Sequence, residues 1–521
     1  MKLFHNANII TINTKIPAAK AMAIDDNGTI LEVGEEEIID KYPTSEKIDL
    51  QGKTIMPAFN DAHIHVWKVG HLKTFMLDLR GCKSIAEMQQ KIKEFADKNP
   101  NNDWILARGI NEFVLEDKRL PTKEDLDIVL PNKPIWLIRT CAHIGIANSK
   151  AIEISGVNEH TEEPFGGEIR KNAEGKISGI FTETALGLIT KNMPQINDFQ
   201  YEKMILAAQE TFLELGITSV TDPGVTPDIL EVYKKMDSEG KLKIKINLFP
   251  LRIPDGATQP LPLPELYESD FLRIKTVKFF ADGGLSSQTA AMDIPYLGTD
   301  YKGVLRLDFD IFYKAAYESC AKGFSVATHA IGHQAMDLVV DVYEKLFQDF
   351  PNISNRIEHV GFISERNLER MKRCNMKAVM QPIFIYELGE NYRNSIEESL
   401  FETLFPFKLS LENGIITALS TDGPVVKEYN PWVGIQTAID RKDAQGFQIG
   451  TKEVLTLHQA IEGYTLGGAK ADEQSHLKGS LEAGKQADFI VLNENPLQTG
   501  NVSSIKNLQT FVNGKMEFSR F

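Results

Sequence analysis

Hydrophobic and polar positions along this chain fall into two textures. Residues 1–56 read as short strands parted by turns: Leu3 to Thr11, Ala21 to Asp25, an Asp26-Asn27-Gly28 turn, then Ile30 to Val33. Residues 476–521 read the same way, with Ala487 to Leu492, Leu508 to Val512, an Asn513-Gly514 turn and Lys515 to Phe518. Two β-rich ends around a different middle predict a small β-sandwich domain formed from both termini, with the middle inserted. Residues 57–475 instead alternate apolar runs with helical patterns, the signature of βα units and a parallel sheet. The candidate strands are Thr54–Phe59, Ile135–Arg139, Ser219–Asp222, Ile274–Phe280, Ser325–His329, Arg356–Val360, Lys377–Gln381 and Ile415–Thr421. Eight is the number a (β/α)8, TIM-like barrel needs, so the predicted class is α/β. The stretch at about 67–200 exceeds an ordinary βα connection and reads as an insertion placed to cover the barrel mouth.

Size and charge narrow the class without naming a reaction. A chain of 521 residues is too long for one simple core. The net charge of -15 is spread along the chain with no basic block, which argues against nucleic acid and against anionic membrane surfaces as partners. No run approaches a membrane span, and no apolar stretch of signal-peptide length follows Met1. Cys82, Cys141, Cys320 and Cys374 are scattered with no Cys-x-x-Cys pair, which speaks against a disulfide framework and fits a reducing cytoplasm.

Chemistry enters at Asp61-Ala62-His63-Ile64-His65. Strand side chains alternate, so His63 and His65 point to one side and offer two nitrogens to a divalent cation such as zinc. Taken alone the pair is a weak signal. Further candidates recur where strands end: His329 closes the fifth, His359 the sixth and Asp422 the eighth, while Lys278 interrupts the apolar fourth. Each has a plainer reading, because a strand-end histidine is commonly a hydrogen-bonded structural residue and an Asp before Gly commonly forms a turn. Lys278 is harder to explain away, since lysine is rarely buried without a partner. Carboxylated by CO2, it would carry a negative charge and two oxygens suited to bridging two cations.

The ordered set resembles the amidohydrolase superfamily, metal-dependent hydrolases on a deformed (β/α)8 barrel, and the resemblance covers essentially the whole chain. Ile55 through His65 resembles the family's Pro-Gly-x-x-Asp-x-His-x-His opening, and Gly479 through Asp488 its closing Gly-x-(Ile/Leu)-x-x-Gly-x-x-Ala-Asp segment. Lys278 through Gly283, Thr289-Ala290, Arg356-Ile357-Glu358-His359, Gln381-Pro382, Asn148-Ser149-Lys150-Ala151 and Tyr464-Thr465 are similar to the branch containing N-substituted formamide deformylase. There are departures. Ala58 stands for the usual Gly, Asn60 for an aliphatic residue, Ile110 for an aromatic after Arg108-Gly109, and His333 for the branch's Asp.

The resemblance implies one or two divalent metal ions, zinc first. His63, His65, Lys278 and Asp422 would hold one, and a carboxylated Lys278 with His329 and His359 the other. It implies hydrolysis of a non-peptide carbon–nitrogen bond of a small molecule, an amide, N-formyl or cyclic amide, by a metal-activated hydroxide. Asp422 acts as general base and then acid. His143 is a candidate donor to the substrate carbonyl or oxyanion. His333, one turn beyond His329, and Gln381 are candidate substrate contacts, and a homodimer is the family-level expectation. Two rivals stay open: a metal-dependent C–O hydrolase of lactonase or esterase type, and a non-catalytic structural barrel.

Overall fold

The computed structural model describes residues 1–112, 114–140, 144–164, 167–254 and 257–520. They form two compact units, residues 1–66 with 208–521, and residues 67–207.

In the first unit the two chain ends are interleaved. A four-stranded sheet holds Lys2–His5 between Ala21–Ile24 and Glu46–Asp49, with Ile30–Gly34 outermost. A six-stranded sheet runs Lys515–Ser519, Asn507–Val512, Phe489–Leu492, Thr54–Pro57, Asn8–Ile10, Ala18–Ala19. Phe489 lies opposite Pro57 and Leu492 opposite Thr54, so early and late residues share one ladder. Both sheets feed one core: Phe4, Met22 and Ile30 pack with Ile55, Phe489 and Phe511. There Phe489 stacks on Phe511 at 4.3 Å and meets Phe4 edge-on at 5.0 Å. The Asp26-Asn27-Gly28 turn docks on the Asn513-Gly514 turn so closely that a Cβ at Gly28 would sit 2.0 Å from the Asn513 carbonyl oxygen. Only glycine fits there.

The strands that position the candidate site are β1 (Phe59–Asp61), β2 (Ile217–Val225), β3 (Lys245–Pro250), β4 (Thr276–Phe280), β5 (Ser325–Ala330), β6 (Arg356–His359), β7 (Lys377–Met380) and β8 (Thr417–Leu419). β1, β2 and β3 pair in parallel in one five-stranded sheet, with Leu272–Ile274 and Tyr267–Glu268 beyond β3. β4 to β8 pair in parallel in a second. The sheets meet at two seams. Leu251, just past β3, bridges to Lys278, and the Arg252 amide donates to the Lys278 carbonyl at 2.9 Å. At the other, the Asp422 amide donates to the His63 carbonyl and the His65 amide to the Gly423 carbonyl, each at 2.8 Å. Amphipathic helices follow the strands. Helix His333–Asp349 buries Met336, Val339, Val340, Tyr343 and Leu346, the three- and four-residue spacing of one apolar stripe. Helix Glu365–Arg373 starts where the Ser364 side chain accepts from the Asn367 amide, and ends in Arg370, Lys372 and Arg373, which suit a helix C-terminus.

Three strand expectations need correction. Thr54–Phe59 is not one barrel strand: the chain changes partners at Ala58, whose amide donates to Asp488, while the next amide, on Phe59, donates to Gly216. Ile135–Arg139 lies outside both central sheets, in the second unit. Lys245–Pro250, passed over because Lys245 and Asn247 break its apolar run, holds the third place. Its polar side chains are buried against carboxylates, Lys245 on Asp488 and Asn247 on Asp472 at 2.9 Å.

The second unit is a six-stranded sheet in the order Ile169–Lys171, Ile177–Thr182, Ile144–Ala147, Ile135–Arg139, Ile105–Ile110, Met76–Asp78. Helix Ile85–Lys98 begins on a Ser84 cap and buries Ile85, Met88, Ile92 and Ala96. Asn148 serves several backbone groups at once: its carboxamide accepts from the Ile135 and Ala151 amides and donates to the Leu130 and Lys133 carbonyls. Among the described residues, no helix of the chain is long and apolar enough to cross a membrane.

Candidate functional site

His63 and His65 follow β1 and Asp422 follows β8, so the seam between the two sheets sets their spacing. The Asp61 carboxylate pins it, accepting from the His63 amide (3.2 Å), the Thr421 amide (3.2 Å) and the Thr421 hydroxyl (2.6 Å). Burial pushes that carboxyl up to about 7 against these bonds. The Nε2 atoms of His63 and His65 lie 3.5 and 3.2 Å from Asp422 Oδ1. The three side chains are buried, and their candidate ligand atoms lie within 4.8 Å of one another. His359 and His329 continue the cluster: ring centroids are 4.9 Å apart for His63 and His359, and 4.4 Å for His329 and His359. The backbone is unusual at these points. Asp422 (φ 54°), His359 (φ 76°) and the β-branched Val360 (φ 45°) all take left-handed conformations, a strain that concentrates at functional sites.

Three of the imidazoles, those of His63, His359 and His329, are each aimed by a partner on one nitrogen. His63 Nδ1 meets Glu358 Oε2 at 2.5 Å. His359 Nδ1 donates to Gln381 Oε1 at 2.7 Å, while Gln381 Nε2 donates to the Ser420 hydroxyl at 2.9 Å. His329 Nε2 donates to the Gly283 carbonyl at 3.0 Å and lies 3.4 Å from Asp282. A carbonyl can only accept, so these bonds fix the tautomer and leave the second nitrogen of each ring as the lone-pair side. Burial holds the rings neutral: His63 is lowered, His329 falls to about 3 with Lys278 adding to the effect, and His359 lies well below its ordinary value. Neutral imidazole is the ligating form.

Lys278 is fully buried, and its amine has no hydrogen-bond partner among the described residues. It sits 5.0 Å over the Phe280 ring. Burial lowers it to about 8, opposed by Glu358 and Asp422. The imidazoles of His63 and His65 and the carboxylate of Asp422 are a donor set that fits a divalent cation. His333 opens its helix with its ring stacked on Phe362, 4.5 Å apart at 11°. Gln381 is committed to His359 and Ser420. His143 lies outside the described residues.

Sequence reasoning passed over the carboxylates behind the histidines. Glu358 is held by Arg356 through Nε–Oε1 (2.5 Å) and Nη2–Oε2 (3.1 Å), and Arg356 Nη1 reaches Asp472 at 3.2 Å. Burial would raise Glu358, but the charge of Arg356 and the hydrogen bond from His63 hold it well below the usual carboxylate range. Asp282 accepts from the amides of Ala291 (2.9 Å), Ile331 (3.1 Å) and Gly332 (2.8 Å), fixing the turn after β5. A signal existed for Glu358: Arg356 and Glu358 are two apart on a buried strand and therefore share a face.

The fold is of the mixed α/β class, with a candidate metal site of His63, His65 and Asp422 where the two central sheets meet. Residues 46–517 match the model of the amidohydrolase family, and the chain belongs to that family. It is 29% identical to the N-substituted formamide deformylase of Arthrobacter pascens over 99% of this chain and 98% of that one. It is 28% identical to the putative amidohydrolase YtcJ of Bacillus subtilis (strain 168), over 99% of each. Among solved structures, an uncharacterized metal-dependent hydrolase from Pyrococcus horikoshii OT3 superposes with a TM-score of 0.79 at 26% identity, covering 96% of this chain and 99% of that one.

Proposed function

We propose that the chain hydrolyses a non-peptide carbon–nitrogen bond of a small molecule, an amide in the broad sense that includes N-formyl and cyclic amides. His63, His65, Lys278, His329, His359 and Asp422 would hold one or two divalent cations, zinc first. The reading rests above all on the imidazoles of His63, His329 and His359, each tied through one nitrogen and left with the other. When bound, such a cation supplies Lewis acidity and a nucleophilic water near neutral pH. Asp422 would accept the proton of the attacking water on a carboxylate oxygen and return it to the leaving nitrogen, which is otherwise too basic to depart. A lysine amine lowered to about 8 is neutral often enough to add CO2, so a carboxylated Lys278 fits the centre. The same reading takes the two central sheets as one (β/α)8 barrel with this centre at its C-terminal rim, and the terminal sheets as a β-sandwich.

The reading is supported by the resemblance to the deformylase and by the buried His63, His65 and Asp422 group, whose candidate ligand atoms lie within 4.8 Å of one another. The test has two parts. Plasma mass spectrometry on protein purified without chelators is expected to give one or two metal ions per chain, two if Lys278 bridges. A panel of N-formyl amines, N-acyl amines, esters and lactones is then expected to show turnover of the amides. Turnover of lactones or esters alone would move the reaction to C–O bonds, and no metal after reconstitution with zinc or manganese would end the enzyme reading.

A further inference from the structure

Behind the candidate metal centre runs a line of buried charges that the proposed reaction does not use. Asp472, Arg356 and Glu358, and the neutral His63 ring on which that line ends, are each no more than 4% exposed. At the far end the Asp472 carboxylate gathers donors from three successive strands or their ends: Asn60 Nδ2 of β1 (3.4 Å), the Thr221 hydroxyl of β2 (3.1 Å) and Asn247 Nδ2 of β3 (2.9 Å). Its other partner is Arg356 of β6, in the second sheet. The guanidinium is held on all sides, by Asp472, by both oxygens of Glu358, by the Ala62 carbonyl at 2.5 Å and by the Phe249 ring at 4.8 Å. Glu358 can therefore turn only one way, and what remains of Oε2 faces His63 Nδ1.

We infer that Glu358 is a positioning residue for the cation centre, and that Arg356 and Asp472 extend its reach across the fold. A carboxylate on the rear nitrogen of a histidine fixes the tautomer, orients the ring and makes the front nitrogen a stronger donor. The carboxylate must itself be immobile to do so, and the Arg356 fork supplies that rigidity. The far end matters because Asp472 ties side chains of three strands of the first sheet to the guanidinium of the second. Loosening it frees Arg356 to rotate and lets Glu358 follow. The inference rests on the metal reading above, and its test separates the two.

Zinc affinity is measured by competition with a chromophoric chelator for the wild-type chain, E358Q and D472N, together with the visible spectrum of each cobalt-loaded protein. Loss of a partner behind a ligating histidine weakens metal binding about 10–100-fold. E358Q is expected to show that loss with shifted cobalt bands, and D472N a smaller loss in the same direction. If the wild type binds no metal, the metal reading fails and this inference with it. If the wild type binds zinc and a folded E358Q binds it equally well with an unchanged cobalt spectrum, only the inference is overturned. Should E358Q fail to fold, the proton spectrum of the cobalt-loaded wild type decides. A contact-shifted His63 N–H protected from solvent exchange supports the inference, and its absence overturns it.

Discussion

At the scale of single residues, Asp422 carries the greatest burden. Its carboxylate oxygen stands within 3.5 Å of both histidine Nε2 atoms, and its backbone is held left-handed by the seam to His63. Asn is isosteric and keeps that backbone, so Asp422→Asn is expected to lower kcat by about 10²–10⁴-fold, the usual worth of general acid–base catalysis, with an unchanged melting temperature in the metal-free protein. Wild-type turnover in that variant would remove Asp422 from the reaction. The residues at the strand ends were the readable part of the site, because a charged or imidazole side chain closing an apolar run is conspicuous. Glu358 was readable only in part: the face it shares with Arg356 shows in the sequence, its contact with His63 does not. Its partner His63 lies 295 residues earlier, and no local pattern in Arg-Ile-Glu-His points there. Gln381, read from the chain as a substrate contact, instead has both ends of its amide engaged by protein groups.

At the scale of elements, turns decide how well the ligands are held. The loop after β5 closes on Asp282 through the amides of Ile331 and Gly332, and a Cβ at Gly332 would come within 2.1 Å of the Ala291 carbonyl oxygen. Backbone cannot yield as a side-chain tip can. Gly332→Ala is therefore expected to cost about 1–3 kcal/mol in denaturant unfolding, the range for overpacking, and to weaken metal binding through His329. A second element, helix Val66–Thr74, carries His71 stacked near Trp67. Burial, aided by the charge of Arg108, lowers His71 to about 4. Between pH 6.5 and 4 the unfolded chain takes up a proton that the folded chain refuses, so this stabilisation is whole above 6.5 and drains away as the pH falls. The loss between pH 7 and pH 5 amounts to about 2 kcal/mol. His71→Leu should flatten the wild-type fall in stability over that interval, and an equal slope in both proteins would count against it. Elements also show where period reading breaks down. Ile135–Arg139 has the apolar run of a barrel strand but pairs with Ile105–Ile110 and Ile144–Ala147. Lys245–Pro250 has buried polar side chains and was overlooked. A strand's neighbours are set by contacts far along the chain, which an isolated run of side chains does not encode.

At the scale of the whole molecule, cation binding and folding are linked. A ligand that binds only the folded chain adds stability with its concentration, about 2.7 kcal/mol at a hundred times its dissociation constant. The melting temperature is expected to rise on zinc loading and to fall again with a chelator, with folded protein surviving both. Insensitivity to zinc would mean that the centre does not close on a cation. The interleaving of the termini was legible at this scale from the two matching β-rich ends. The two seams were not: one joins His63 and His65 to Asp422 and Gly423, hundreds of positions along the chain, and the other is a single bridge from Leu251 and Arg252 to Lys278 that no local pattern marks.

Asp472 has a consequence for how the protein is made. Synthesis runs from the amino end, so every candidate ligand from His63 to Asp422 leaves the ribosome before Asp472 does. Until that residue arrives, strands of the two sheets lack their shared carboxylate and Arg356 lacks its second buried counter-charge. A nascent chain can thus carry all its metal-binding side chains while unable to hold the metal firmly. On the proposed metal reading, firm loading would wait until Asp472 has emerged, and a ribosome-bound chain ending before Asp472 should capture zinc less well than one extended well past it.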